Sequence, residues 1–384
     1  MAATINELVQ SGFTYPDEFF PMKMNELSRN RAIYLTHNFD SFYIIKSVSH
    51  QFKPLVIMKY VMISVLVVFI SCSGSENDSS AVQIQTDVTG EWQELSEMPT
   101  PRSEIDGVVY NGVIYIAGGF YNGSSTSGAF EAYHIEEDRW EILPDLPQPA
   151  HHPSVAAGDG KIYVSGGWYG FGDEGQQNLD SFWAFDIEQS EWLQKAEIPY
   201  NRGAHRKVFH GGYIYLITGS GPEANEILRY HPDNDFWEIL DVQLERSRDH
   251  SAITLAGDDL YIISGRGGGT EQPRVDILNL SDFEFRRAPD IPTPRGGHGA
   301  EYSNGKIYVI GGEVGGDTPY VLDSVEVFDI ELDEWIEGPI LPYTIHGLAS
   351  AQHDGNIYLI GGATAAFFDT FETLTGYNYV LNLQ

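Results

Sequence analysis

Ile307-Tyr308-Val309-Ile310-Gly311-Gly312 decides the fold, because it is one of six versions of the same phrase. The others are Ile114-Tyr115-Ile116-Ala117-Gly118-Gly119, Ile162-Tyr163-Val164-Ser165-Gly166-Gly167, Ile214-Tyr215-Leu216-Ile217-Thr218-Gly219, Leu260-Tyr261-Ile262-Ile263-Ser264-Gly265 and Ile357-Tyr358-Leu359-Ile360-Gly361-Gly362. The tyrosines step by 48, 52, 46, 47 and 50 residues. A period near 50 identifies a repeat architecture, in which each unit buries its apolar face against the next.

A second marker keeps the same time. Trp140, Trp192, Trp237, Phe285 and Trp335 each follow an apolar or aromatic residue by 7 positions: Tyr133, Phe185, Tyr230, Leu278 and Phe328. Most run on to an apolar-Pro pair, such as Leu146-Pro147 or Leu341-Pro342. Trp237 lacks that Pro and Phe285 replaces the Trp, so the third and fourth copies are degenerate. Each copy reads as four short strands, with Asn304-Gly305 or Asp159-Gly160 as tight hairpin turns between the first two. The glycine pair ends the second strand, where a side chain would obstruct the neighbouring backbone. Tyr and Trp supply large apolar area with one polar handle, suited to the space between sheets.

The ends of the repeat region predict closure. Trp92 runs on to Met98-Pro99 like a fourth strand, yet no Tyr-Gly-Gly strand precedes it. The last copy has a third strand, Tyr379-Val380-Leu381, and no Trp after it. The N-terminal strand around Trp92 is therefore expected to complete the last sheet, which leaves no open edge. The pattern of Gly-Gly, an aromatic, Trp and apolar-Pro resembles the kelch repeat, over residues 89–384. The resemblance implies an all-β, six-bladed β-propeller. It leaves function open, since kelch propellers serve as binding modules, enzymes and scaffolds.

Residues 58–72 read as an export signal. Met58-Lys59 precedes an apolar run from Val61 to Ile70, then Ser71-Cys72. This resembles a bacterial lipoprotein signal with Cys72 as the lipidated residue, although Phe69 stands where Leu is usual. Residues 73–88 then form a flexible linker. Residues 1–57 are expected to be an extension ahead of the true start at Met58, or disordered; the rival is a cytoplasmic segment before a signal anchor. The location expected is the bacterial envelope, lipid-anchored in the membrane. Cys72 is the one cysteine, so no intrachain disulfide or thiolate metal site exists in the repeats.

The chain carries 55 acidic and 22 basic residues, for a net charge of −33. That repels nucleic acid. Yet the loops of one face hold cations. Loops from fourth to first strands carry Arg102; His151 and His152; Arg202, His205 and Arg206; Arg246, Arg248 and His250; Arg295 and His298; and His346. Loops from second to third strands add Arg266 and Arg274. Eight of the 16 Lys and Arg beyond Cys72 are these arginines. Guanidinium groups bind carboxylate, sulfate or phosphate through two parallel bonds, so a small-anion site is expected here. Trp168 and Tyr169, with Phe120, Tyr121, Phe171, Tyr320, Phe367 and Phe368, add sugar-stacking surfaces. The bland alternative is that the arginines bond backbone or carboxylates between blades and the aromatics anchor loops.

Metal sites read weakly. His151 and His152 are neighbours whose side chains would point to opposite faces of a strand. Asp317 and Asp323 lack the regular spacing of a calcium loop. No nucleophile elbow or phosphate loop is evident. The expectation is no cofactor, no metal, a monomer, and a binding module for an acidic carbohydrate or other small anion. Two alternatives stand beside it. One is a sugar mutarotase of the N-acetylneuraminate type, as some six-bladed kelch propellers are, with Glu104 or a loop histidine moving the proton. The other is a protein-interaction scaffold, with an envelope protein as the expected partner.

Overall fold

A computed structural model describes residues 88–171 and 175–383. The signal-like segment, Cys72 and the linker up to residue 87 lie outside these residues. The described chain forms six four-stranded antiparallel sheets, each in the order first-second-third-fourth strand. Blade one is Asp106–Tyr110, Val113–Ala117, Phe130–His134 and Arg139–Leu143; blade two is Ser154–Gly158, Lys161–Ser165, Phe182–Asp186 and Glu191–Gln194. Blade three is Arg206–His210, Tyr213–Ile217, Glu226–His231 and Phe236–Gln243; blade four is Ala252–Ala256, Asp259–Ile263, Val275–Asn279 and Phe285–Ala288. Blade five is Gly299–Ser303, Lys306–Ile310, Val325–Asp329 and Glu334–Glu337. Blade six joins Ala349–His353, Asn356–Ile360 and Asn378–Leu383 to the N-terminal Gly90–Glu94.

The expected closure is present, with Trp92 opposite Leu381. First strands contact one another all the way round, blade six meeting blade one. They therefore line the axis of a closed ring. The repeated Tyr residues are buried, packed with aromatics of the next blade: Tyr163, Phe182 and Tyr230 share one cluster with Trp237. Turns such as Asn304-Gly305 hold both residues at positive φ, 51° and 79°, as a type I′ hairpin requires.

Each tryptophan also stitches its blade to the previous one. The indole N–H donates to the carbonyl four residues beyond the preceding Trp position: Trp140 to Ser96 (2.7 Å), Trp192 to Pro144 (2.9 Å), Trp237 to Ala196 (2.9 Å), Trp335 to Pro289 (3.0 Å) and Trp92 to Pro339 (3.1 Å). The two degenerate copies are thus one change. The carbonyl that a Trp at position 285 would seek is Asp241, which lies inside the eight-residue strand Phe236–Gln243. That strand replaces the apolar-Pro turn of the other blades.

The glycine pairs are required by close approach. A Cβ on Gly118 would lie 2.3 Å from the Ala150 carbonyl, and one on Gly119 2.5 Å from that of Ser103; both have positive φ.

Candidate functional site

Fourth-to-first and second-to-third loops meet on one face, joined by bridges such as His151–Trp168, Asp249–Arg266 and His346–Ala363. The arginines expected to line that face do not. Arg102, Arg202 and Arg295 are 0% exposed and Arg248 2%. They point between the sheets. Arg102 pairs with Glu131 at 2.9 Å, Arg248 with Asp276 at 2.9 Å and Arg295 with Glu326 at 2.9 Å. Arg202 donates to the carbonyls of Glu223 (2.7 Å) and Glu226 (3.1 Å). Arg274 pairs with Asp276 and Glu245. The acidic excess of the chain is partly spent here: a guanidinium without water needs a carboxylate or several carbonyls. His205 is likewise internal, 2.9 Å from the Ser165 hydroxyl. Arg246 is exposed and forms no ion pair among the described residues. The expectation of a cationic focus is corrected to a set of internal ties.

What the loops do bring together is a histidine–carboxylate cluster. Each fourth-to-first loop turns at a left-handed residue: Glu104, His152, Ala204, His250, Gly297 and Gly347, with φ between 47° and 64°. These residues are linked across blades. His152 N–H donates to Glu104 O (2.8 Å), Gly297 N–H to His250 O (3.0 Å) and Gly347 N–H to Gly297 O (2.8 Å). Three of the six carry titratable side chains, and these converge. His152 Nε2 lies 3.0 Å from Glu104 Oε2. The His152 and His250 rings are edge-on at 4.8 Å. His346 Nδ1 is 3.5 Å from Glu104 Oε1 and 3.7 Å from Glu313 Oε1. Arg266 pairs with Glu313 and Glu271 and lies over the Phe367 ring. Glu104, His152 and His250 hold donor atoms within 4.8 Å of one another, as do Glu104, Glu313 and His346.

The strand argument against His151 and His152 acting together fails for a local reason. His152 has φ 52°, so the pair is not extended, and the two Nδ1 atoms are 2.7 Å apart. Burial, then the neighbouring His152, pushes His151 down to about 3, so it is neutral. Burial alone would raise the Glu104 carboxyl, but His152 and His346 outweigh it and hold it well below the usual range. Trp168 is buried against both histidines, 4.8 Å from the His152 ring, whereas Tyr169 is exposed. Phe120 stacks on His151 at 4.0 Å, so it anchors the loops. Tyr121, Tyr320, Phe367 and Phe368 remain exposed.

Below the loops the first strands enclose a cavity of about 310 Å³. Asp106, Arg206, His298, Glu301, Ser350 and Gln352 are among its lining residues. Lys207 is beside it but turned into the wall, where it donates to Ser165 Oγ at 2.9 Å. Arg206 forms no ion pair among the described residues; its one bond is to the His205 carbonyl at 3.4 Å. Both ring nitrogens of buried His298 lack hydrogen-bond partners. Burial raises the Asp106 carboxyl, opposed by Arg206. Burial also pushes Glu301 up to about 7, against a 2.7 Å bond from the Ser350 hydroxyl. Sequence reading missed Glu301 and Asp106. Their signal was weak: side chains alternate along a strand, and both carboxylates accept bonds from the next blade's first strand, Asp106 from the Val155 N–H and Glu301 from the Ser350 hydroxyl.

The kelch motif model matches residues 101–147, 149–197 and 294–342. The chain carries kelch repeats. The three matched windows are blades one, two and five of the kelch propeller; the two degenerate blades are not among them. Relatives include beta-scruin of Limulus polyphemus, 25% identical over 199 residues, covering 50% of this chain and 21% of that protein. Kelch-like protein 36 of Mus musculus is 24% identical over 271 residues, covering 68% and 44%. Kelch-like protein 23 of Homo sapiens is 26% identical over 191 residues, covering 48% and 34%. This chain therefore matches less than half the length of each. Among solved structures, that of YjhT superposes on the kelch propeller with a TM-score of 0.65 at 17% identity, over 76% of this chain and 99% of the other.

Proposed function

We propose that this kelch propeller is a binding module that takes a small carboxylate-bearing polyol, such as an acidic sugar, in its axial cavity. The observation that carries the reading is Arg206 lining that cavity without a carboxylate partner, opposite Glu301, Ser350 and Gln352. A guanidinium binds a ligand carboxylate through paired bonds. The hydroxyl, amide and carboxyl groups suit sugar hydroxyls. The volume is at the small end for a ligand site, so a monosaccharide fits better than a chain. This departs from the sequence expectation in location: the loop arginines support the fold, and the anion site moves to the axis.

The test is calorimetric titration of the full chain with a panel of uronic and sialic acids beside their neutral counterparts. Acidic sugars bind and neutral ones do not, and Arg206→Ala weakens binding at least ~10-fold, the scale of one lost charged hydrogen bond. Equal binding of neutral and acidic sugars, or an unaffected Arg206→Ala, sinks the proposal.

Glu301 favours a second reading. A carboxyl that titrates near 7 is matched to proton transfer at neutral pH. Anomer exchange of the bound sugar, followed by NMR, would then quicken with wild type and not with Glu301→Gln. An envelope location is proposed from the sequence Met58 to Cys72 alone. Labelled fatty acid incorporated by wild type and not by Cys72→Ser supports it; equal labelling refutes it.

A further inference from the structure

The loop cluster turns three histidines toward one carboxylate. His151 Nε2 faces the Gly170 carbonyl at 3.1 Å. A carbonyl only accepts, so Nε2 carries the hydrogen and Nδ1 of the neutral ring is a lone pair. His152 Nδ1, 2.7 Å from it, must then donate. That leaves the His152 Nε2 lone pair facing Glu104 Oε2 at 3.0 Å. A second proton on His152, or a metal ion shared with Glu104, resolves that contact.

The same logic holds at two more histidines. His250 Nδ1 is 2.6 Å from Asp249 Oδ1, so it donates there and Nε2 is the free nitrogen. His346 Nε2 is 2.8 Å from the Ala365 carbonyl, so it donates there. Its Nδ1 is buried and without a hydrogen-bond partner, and although burial lowers the ring's pKa, Glu104 and Glu313 outweigh it and favour a proton there. It faces the carboxylates of Glu104 and Glu313. Three imidazoles are thus each held from behind, with the inner nitrogen turned toward one carboxylate. A proton relieves one such contact. Holding several at once is the arrangement by which proteins bind a metal: the outer nitrogen tied to a carbonyl or carboxylate, the inner one free for the ion.

We propose that Glu104, His152 and His250 bind one divalent transition-metal ion of the zinc type, with Asp249 and His151 orienting the two imidazoles and His346 holding the second oxygen of Glu104. Two histidines and one carboxylate suit zinc, cobalt, nickel or iron better than calcium or magnesium, which prefer oxygen. Around zinc such donors lie ~3.3 Å apart; here they lie within 4.8 Å, so metal binding draws the side chains together by rotamer adjustment. Three protein ligands leave a position for water or an anion. The backbone ties between the left-handed residues fix the three ligands on three different blades. The site thus needs the closed ring, and it stands independently of what the axial cavity binds.

The experiment uses tag-free full chain, stripped with chelator and titrated with Co²⁺ and Zn²⁺. One equivalent of Co²⁺ produces visible absorption of a low-symmetry site, and Zn²⁺ displaces it. Asp249→Asn weakens affinity about 10–100-fold, as loss of such an orienting group does. His250→Gln and Glu104→Gln abolish the signal while the thermal transition remains cooperative. Absence of stoichiometric binding by wild type overturns the proposal, as does binding unchanged in both His250→Gln and Asp249→Asn. Calcium binding with no cobalt signal also overturns it.

Discussion

Glu301 turns the chemistry of the axis into a pH-dependent stability. Burial raises its carboxyl from 4.5 to about 7, so the folded chain keeps a proton that the unfolded chain releases. The folded state binds more protons between those values, and stability falls as pH rises through that window. Below about 4.5 both states are protonated and the contribution is whole; above about 7 both are ionised and it is gone. A difference of about 2.5 in pKa corresponds to about 3 kcal/mol. The side chain keeps some access to the cavity, which reduces the effect to about 1–2 kcal/mol by solvent screening. Glu301→Gln keeps the bond from Ser350 and removes the titration. Melting curves of both proteins at constant ionic strength between pH 4.5 and 8 are the assay. Wild type loses about 2–4 °C relative to the variant across the window, taking a few degrees per kcal/mol for a domain of this size, and no more above it. The general repulsion of an acidic chain affects both proteins alike and cancels in the difference. Parallel curves, or wild type gaining on the variant as pH rises, would refute the argument that Glu301 is folded with its proton.

Other perturbations test the ring and its ties. Arg102→Ala leaves Glu131 buried at 1% exposure, and costs about 3–5 kcal/mol, measured by urea unfolding; a loss under about 1 kcal/mol would mean that water reaches the pair. Trp92→Phe removes the donor to the Pro339 carbonyl while keeping the ring; a loss of about 1 kcal/mol is expected, measured by urea unfolding. Deleting residues 1–95 exposes the Asn378–Leu383 edge and should convert a monodisperse protein on size-exclusion chromatography into aggregates. Gly347→Ala places a Cβ 2.9 Å from Glu104 Oε1 at φ 61°; a lower melting temperature is expected, by about 1–3 kcal/mol of backbone strain plus the contact.

The fold was legible because period, turn chemistry and the divided last blade all agree, and each has a direct structural cause. The Trp spacing, for example, encodes both a strand position and an indole bond to the preceding blade. The site was legible only in part. Arg102, Arg202, Arg248 and Arg295 recur at one position of the loop, and recurrence suggested a ring at the surface. In the structure that position points between blades, where a repeated cation is answered by a carboxylate from the third strand, as Glu131, Asp276 and Glu326 answer theirs. The face of a side chain in an irregular loop is set by φ, which composition does not reveal. The same blindness hid the cluster: Glu104, His152 and His250 share an alignment column two residues further on, and the left-handed backbone there aims all three inward. Glycine at the matching positions 297 and 347 was the one available hint.

A crystal structure of the full chain soaked with an acidic monosaccharide tests the account most directly. The account predicts ligand density in the axial cavity, its carboxylate bonded to the Arg206 guanidinium and its hydroxyls near Glu301 and Ser350. Density on the outer loops beside Arg246, with the cavity filled only by water, would contradict it.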